Sequence, residues 1–240
     1  LDPEYPLKLT IVGPDTIVSV NDTVAFQVIT EPSHPDLNFT WSSSNTQLLA
    51  PVPQSPGTFA SRRNGTVMLR VSYGAHVAEK EVVVEQRPVR MIILPPPTTE
   101  LASLGEEVFL TAAVVDAKDT PVEGSSTAVV WTSSDTAVAR VNNGRVTAVR
   151  NGTAWIKAEA FEQADSVFFR IQQVPVSLTF GSALYIIPIA GGSVQTQVLV
   201  RDARGVPLEN PVGLTLTSSR SSFQVNSSGL VQSSGYGSTT

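Results

Sequence analysis

One motif returns along this chain at a nearly constant spacing, and that spacing limits the fold more than any other feature. The stretch from Val129 to Ile156 reads VVWTSSDTAVARVNNGRVTAVRNGTAWI. A strand ends at Trp131, a Ser-Ser-Asp corner follows, and two short alternating segments meet at Asn143-Gly144. An Asn-Gly-Thr step then leads into a further strand. Trp131 follows Trp41 by 90 residues, and Asn151 follows Asn64 by 87. Leu216 follows Trp131 by 85, as Gly237 follows Gly152. A repeat of roughly 85–90 residues with about seven short strands in each describes tandem β-sandwiches.

Composition agrees. The 240 residues are 41% hydrophobic and 15% charged, which suits folded rather than disordered chain. Val, Thr, Ser, Gly and Pro dominate, the chemistry of strands and turns. The net charge of −5 with scattered Lys and Arg gives neither a nucleic-acid footprint nor a polybasic membrane anchor. There is no cysteine, so disulfides, thiolate nucleophiles and cysteine metal sites are excluded. No apolar run reaches the roughly 18 residues of a membrane span; Ala183 to Ala190 is short and holds Pro188. Leu1 opens the chain without an initiator Met or a charged-then-apolar leader, which reads as a mature or trimmed segment.

Taken in order, Leu7–Val12 reads as a strand stopped at Gly13-Pro14. Asp22–Ile29 reads as one alternating strand with Val24, Phe26 and Val28 on a common face. Leu37–Trp41, Thr66–Tyr73 and Val77–Val84 complete a first unit, and Gln86-Arg87-Pro88 reads as a linker. The order restarts with Val89–Leu94, broken at Pro95-Pro96-Pro97, then Glu107–Val115, Ala128–Trp131, Ala154–Ala160 and Ser166–Gln172. Val174-Pro175 is a second linker. The third start is Val176–Phe180, followed by Ser193–Arg201. Gly213–Thr217 is expected as a strand standing where Val130-Trp131 stood. The best helix candidate, Glu100–Glu106, is short and contains Gly105. The expected domains are 1–86, 87–173 and 174–240. The second unit runs on from Gly152 to Gln173, whereas only Ser238, Thr239 and Thr240 follow Gly237, so the third is expected to lack its last strand or strands. An open edge of that kind is a template for strand pairing with another chain.

Residues 131–158 resemble the bacterial immunoglobulin-like group 2 domains. The resemblance rests on Trp131, Ser133, Ser134, Asp135, Val138, Ala139, Val141, Gly144, Val146, Thr147, Ala148, Gly152, Thr153, Ala154 and Ile156. The first unit keeps Trp41, Ser42, Ser43, Ser44 and Asn64-Gly65-Thr66, and its Pro-rich middle, Leu49 to Arg63, departs from the pattern. The third keeps Ser218, Ser219, Gly229, Val231 and Gly237 without the Trp. The resemblance implies immunoglobulin-like sandwiches that serve as spacers or binding modules on exported, cell-surface proteins, and no catalysis.

Each candidate site has a plainer role beside it. Trp41 and Trp131 read as core aromatics rather than sugar platforms, since each shares a face with apolar neighbours. Asn21, Asn38, Asn64, Asn151 and Asn226 head Asn-X-Ser/Thr triplets, but Asn64-Gly65 and Asn151-Gly152 are also type I′ turn pairs, and turn chemistry is the favoured reading. Asp116, Asp119, Asp202, Glu123 and Glu209 could bind Ca²⁺ between domains, yet no loop supplies six to eight oxygens, so the Asp residues read as turn formers. His34 and His76 have no spaced partners for zinc. No GxSxG elbow occurs, and Gly191-Gly192 precedes no helix that would cradle phosphate.

The expectation is therefore an all-β array of tandem immunoglobulin-like sandwiches without catalytic, cofactor or metal residues. It projects or supports a binding region of an exported or cell-surface protein. Alternatives are a carbohydrate- or protein-binding module, and accessory domains of a larger secreted enzyme or of a eukaryotic lumenal membrane protein. The partner is a protein or glycan, with no nucleic acid and no membrane insertion in this segment.

Overall fold

A computed structural model describes residues 7–34, 36–94, 96, 98–209, 211–235 and 237. The break expected at Pro95-Pro96-Pro97 and the end at Ser238-Thr239-Thr240 fall on residues 95, 97 and 238–240, outside the described residues. Among those described there is no helix, and the strands form three successive sets.

The first set is β1 (Lys8–Val12), β2 (Thr16–Ile17), β3 (Thr23–Ala25), β4 (Gln27–Glu31), β5 (Thr40–Ser43), β6 (Leu49–Pro51), β7 (Thr58–Ser61), β8 (Gly65–Tyr73) and β9 (His76–Val84). They make sheets β1-β4, β2-β9-β8-β5 and β3-β7-β6. The second set repeats this: β10 (Arg90–Leu94), β11 (Glu100–Leu101), β12 (Glu107–Phe109), β13 (Thr111–Val115), β14 (Val130–Ser133), β15 (Ala139–Asn142), β16 (Arg145–Ala148), β17 (Gly152–Ala160) and β18 (Gln163–Ile171). Its sheets are β10-β13, β11-β18-β17-β14 and β12-β16-β15. The third set is β19 (Ser177–Phe180), β20 (Ser193–Gln195), β21 (Val198–Arg201), β22 (Phe223–Val225) and β23 (Leu230–Ser233), in sheets β19-β21 and β20-β23-β22. This is an all-β chain of tandem immunoglobulin-like sandwiches.

By packing, the chain divides into two compact units. One comprises residues 1–94, 111–131 and 157–166; the other comprises 95–110, 132–156 and 167–240. In the first, Phe26, Leu49, Phe59, Leu69, Val71 and Val82 form a closed core between the sheets of β1–β9. Trp41 is half-buried against it, with its ring 6.0 Å from that of Phe59. In the second, Leu101, Val146, Ile156, Phe169 and Ile171 are fully buried. Each such side chain contributes about 1.5–3 kcal/mol by leaving water. The strand alternation supplies them: β17 buries Ala154, Ile156, Ala158 and Ala160 while the residues between face outwards.

Three expectations need correction. Asp22–Ile29 is not one strand. β3 pairs with β7 and β4 with β1, so the chain changes sheets at Phe26, whose N–H donates to Gly57 O at 2.8 Å. Glu107–Val115 switches in the same way at Leu110, whose N–H reaches Gly144 O at 2.8 Å. Ser193–Arg201 likewise splits into β20 and β21. The alternating face survives because Phe26 and Leu110 stay buried at the crossing. Next, Asn64-Gly65 and Asn151-Gly152 are not type I′ turns. That turn needs positive φ at both residues, and only the glycines have it, at 145° and 149°. A Cβ there would lie 2.7 Å from Leu48 Cδ1 or 2.8 Å from Val138 Cγ2, so glycine allows the strand to start close to its neighbour. Asn143-Gly144, with φ of 47° and 78°, is the real hairpin turn, joining β15 to β16. Last, Gly213–Thr217 forms no strand. Its counterpart β14 lies beside β17, and the third set has no counterpart of β17 for it to pair with among the described residues.

Candidate functional site

The most elaborate polar constructions in the molecule are two buried carboxylates, and they share one design. Asp116 follows β13 in the sequence Asp-Ala-Lys-Asp-Thr-Pro, and Asp202 follows β21 in Asp-Ala-Arg-Gly-Val-Pro. Both aspartates are buried, 1% and 2% exposed. Each folds its own turn through one oxygen. Asp116 Oδ1 accepts from the N–H groups of Lys118 (2.9 Å) and Thr120 (3.1 Å). Asp202 Oδ1 accepts from those of Arg204 (3.0 Å) and Val206 (2.9 Å).

The other oxygen reaches back along the chain. Asp116 Oδ2 accepts from Val20 N–H, in the loop between β2 and β3, at 2.9 Å and from Gln86 Nε2 at 2.9 Å. Asp202 Oδ2 accepts from Leu104 N–H, between β11 and β12, at 3.0 Å and from Gln173 Nε2 at 2.9 Å. The glutamines are buried as well, and each is held by an asparagine. Gln86 N–H donates to Asn64 Oδ1 at 3.0 Å while Asn64 Nδ2 donates to Gln86 Oε1 at 3.3 Å. Gln173 and Asn151 repeat the pair at 2.8 and 3.4 Å. Both glutamines also donate to a proline carbonyl, Gln86 to Pro121 O at 3.2 Å and Gln173 to Pro207 O at 3.4 Å.

The chemistry of this arrangement requires a carboxylate. Four N–H donors converge on two oxygens, which an ionised Asp satisfies with no proton of its own. Burial by itself raises the Asp116 carboxyl, but the Gln86 side chain and the N–H groups of Val20, Lys118 and Thr120 outweigh it and hold the group below its ordinary value. Asp202 behaves alike: desolvation raises it, and Gln173 with the N–H groups of Val206, Leu104 and Arg204 brings it below the ordinary range. Each aspartate thus ties the loop and linker of one set of sheets to the turn that follows β13 or β21 in the next.

These joints revise the reading of several residues. Asp116 and Asp202 are turn residues, but their second oxygen makes a long-range tie that a turn does not need. A cation at either carboxylate would orphan buried N–H groups. Asp119 faces outwards and pairs with Arg90 at 2.9 Å, and Glu123 and Glu209 are exposed. Among the described residues no three His, Asp or Glu side chains gather to hold a metal ion. His34 lies in the loop after β4, and His76 opens β9 opposite Tyr73. Asn64 and Asn151 serve the joints, Asn21 Nδ2 donates to Thr120 Oγ1 at 3.2 Å, and Asn226 Oδ1 accepts from Ser228 and Leu230 N–H in its own turn. Gly191 turns the chain into β20 with φ of 76°. Trp131, like Trp41, is half-buried.

Gln86, Gln173, Val20 and Leu104 were not singled out from sequence. The signal was available in the recurring Asp-Ala-Lys/Arg-x-x-Pro and in the Gln-x-Pro that recurs at 86–88 and 173–175. An exposed aromatic pair was also missed. Trp155 on β17 and Phe168 on β18 are 51% and 42% exposed, with ring centroids 5.1 Å apart in an edge-to-face contact.

Known proteins bear on the middle of the chain. Residues 108–167 match the bacterial Ig-like domain (group 2). The match lies within the second set of strands. No curated protein sequence matches the chain. Among solved structures, it is similar to the S-layer protein SbsC (17% identity, TM-score 0.35, covering 95% of this chain and 35% of that one). It is also similar to the Escherichia coli adhesin FdeC (14%, 0.37, 95% and 86%) and to invasin, a bacterial integrin-binding protein (14%, 0.39, 95% and 53%). The chain spans about a third of the length of the S-layer structure.

Proposed function

We propose that this chain is a non-catalytic spacer of an exported or cell-surface protein. In this reading it is built of sandwiches at 1–86, 87–173 and 174–240, with one buried aspartate joining each to the next. The observation that carries the reading is the duplication of the joint. The same Asp, Gln and Asn recur with the same bonds at 116, 86 and 64 and at 202, 173 and 151. At both places the bonds run from the loop and linker of one set of strands to a turn of the next, which is what a joint requires. Buried, fully satisfied polar networks fix one geometry, because every alternative leaves a group unpaired. NMR relaxation on the full chain tests this. The amides of the first and second sandwiches should report one tumbling time, and Asp116→Asn should separate them. Equal tumbling in the variant and the parent would sink the proposal.

The Trp155–Phe168 pair favours a second reading, a protein- or glycan-binding face on the second sandwich. Exposed aromatics of this size are enriched at binding surfaces. A glycan array and a surface-protein panel would test it, with Trp155→Ala expected to abolish any signal and to leave the melting curve in place.

A further inference from the structure

The first joint opens onto a cleft of about 360 Å³ that lies within one compact unit of the chain. Its floor is the joint itself, with Val20 and Gln86 buried and Asn64 half-buried. The polar atoms of that floor are already engaged. Gln86 Nε2 donates to Asp116 and to Pro121 O, and its Oε1 accepts from Asn64 Nδ2 and from Glu123 N–H. Thr120 Oγ1 accepts from Asn21 Nδ2. A ligand in the cleft therefore meets its edge, where Arg62, Arg63 and Glu123 stand exposed. Among the described residues neither guanidinium has an ion pair or a hydrogen bond, and the Glu123 carboxylate pairs with no cation.

The second set of strands shows that folding does not require these arginines. The N–H groups of Arg62 and Arg63 both donate to Leu48 O, at 2.8 and 3.5 Å. Those of Val149 and Arg150 donate in the same way to Val138 O, at 2.8 and 3.2 Å. Val149 thus stands where Arg62 stands, and the main-chain bond is kept without the charge. A guanidinium presents a planar fork of N–H donors that fits a carboxylate with two parallel bonds. Two adjacent free forks on one cleft are suited to hold one carboxylate. Glu123 on the same edge narrows the choice, since it repels a compact dianion and accepts only from donors such as hydroxyls. A sugar acid carries a carboxylate and hydroxyls on one ring. The volume lies at the lower end of ligand pockets, about 300–1,000 Å³.

We infer that this cleft binds a uronic acid residue of an acidic glycan, its carboxylate on Arg62 and Arg63 and its ring hydroxyls on Glu123. The arginines supply charge-assisted bonds and orientation. Glu123 supplies selectivity, because an anion without hydroxyls meets only its repulsion. The chain as a whole carries a net charge of −5 and does not attract a polyanion at long range. Recognition therefore rests on the local pair of cations and weakens as salt rises.

The test uses the full chain and trigalacturonic acid, with its methyl ester as a control that keeps the hydroxyls and loses the charge. In an NMR titration the acid should shift the amides of residues 62–64 and 122–123, and the ester should leave them in place. Arg62→Val copies the residue at 149, so the fold tolerates it. That variant and Arg63→Ala should each weaken binding by about tenfold and keep the parent melting curve. Glu123→Gln should also weaken it, since a charged acceptor holds a hydroxyl more strongly than an amide does. Absence of these shifts with the acid would overturn the proposal. So would equal shifts with sodium sulfate, which would make the edge a general anion site, or with glycine, which would make it a zwitterion site. Tighter binding in Glu123→Gln would likewise remove the hydroxyl contact and the sugar with it.

Discussion

The two joints share a centre and differ at the rim. At the first, Lys118 Nζ pairs with Asp22 at 3.0 Å, Asn21 reaches Thr120, and Glu123 N–H donates to Gln86 Oε1 at 3.3 Å. At the second, Gly105 stands where Asn21 stood and Val206 stands for Thr120. Glu106, in the place of Asp22, turns its carboxylate back onto its own loop, accepting from Ala102 N–H at 2.9 Å and Ser103 N–H at 3.1 Å. What survives this drift is the buried centre, Asp with four donors and Gln clasped by Asn. Exposed ion pairs add little and come and go, whereas a buried N–H without an acceptor costs about 1–3 kcal/mol. The conserved geometry therefore marks where the joint's energy lies.

The comparison can be broken most directly at the carboxylate. Asp116→Asn replaces an acceptor with a donor among four donors and should cost about 3 kcal/mol in chemical denaturation. Asp202→Asn should cost a similar amount despite its poorer rim. If the second were near neutral, the rim rather than the centre would be holding the joints.

Acid probes both centres together. Each carboxyl is held below its ordinary value in the folded chain, so it stabilises the fold above the unfolded value, about 3.9 for Asp. That contribution is lost as pH falls through the folded value. Denaturation below about pH 4 should therefore show a loss of stability that shrinks in Asp116→Asn. An identical acid profile in the variant would refute the assignment.

Gln86→Leu removes one donor to Asp116 and takes the acceptor from Asn64 Nδ2, while the main-chain N–H of residue 86 still donates to Asn64 Oδ1, and should cost about 2 kcal/mol by the same measurement. Gln173→Leu should match it, since the clasp is common to both joints. The smallest effect belongs to the rim. Lys118→Ala should change stability by about 0.5 kcal/mol or less, and that change should vanish in high salt.

Much of this molecule was legible in the chain. The repeat, the alternating faces and the hairpin at Asn143-Gly144 all follow from short-range patterns, whereas Trp41, read as a core aromatic, is half-buried against the core. The joints were half legible. Asp116 was picked out for its residue type, but its partner Val20 lies 96 positions away, and Leu104 lies 98 from Asp202. Asn64 was misread as a turn residue because Asn-Gly has that preference locally, and nothing local reveals that its amide is engaged with Gln86.

The amino-acid sequence alone determined the class, the period and the side of each strand that turns inwards, because alternation and turn preference act between residues a few positions apart. The tertiary structure decided which sheet each half of Asp22–Ile29 joins and what two aspartates are for. Those outcomes depend on partners distant in the chain, β1 and β7 for the two strand halves and residues 96 and 98 positions away for the aspartates. A strand without a neighbour, or a buried carboxylate without donors, has no stable form of its own.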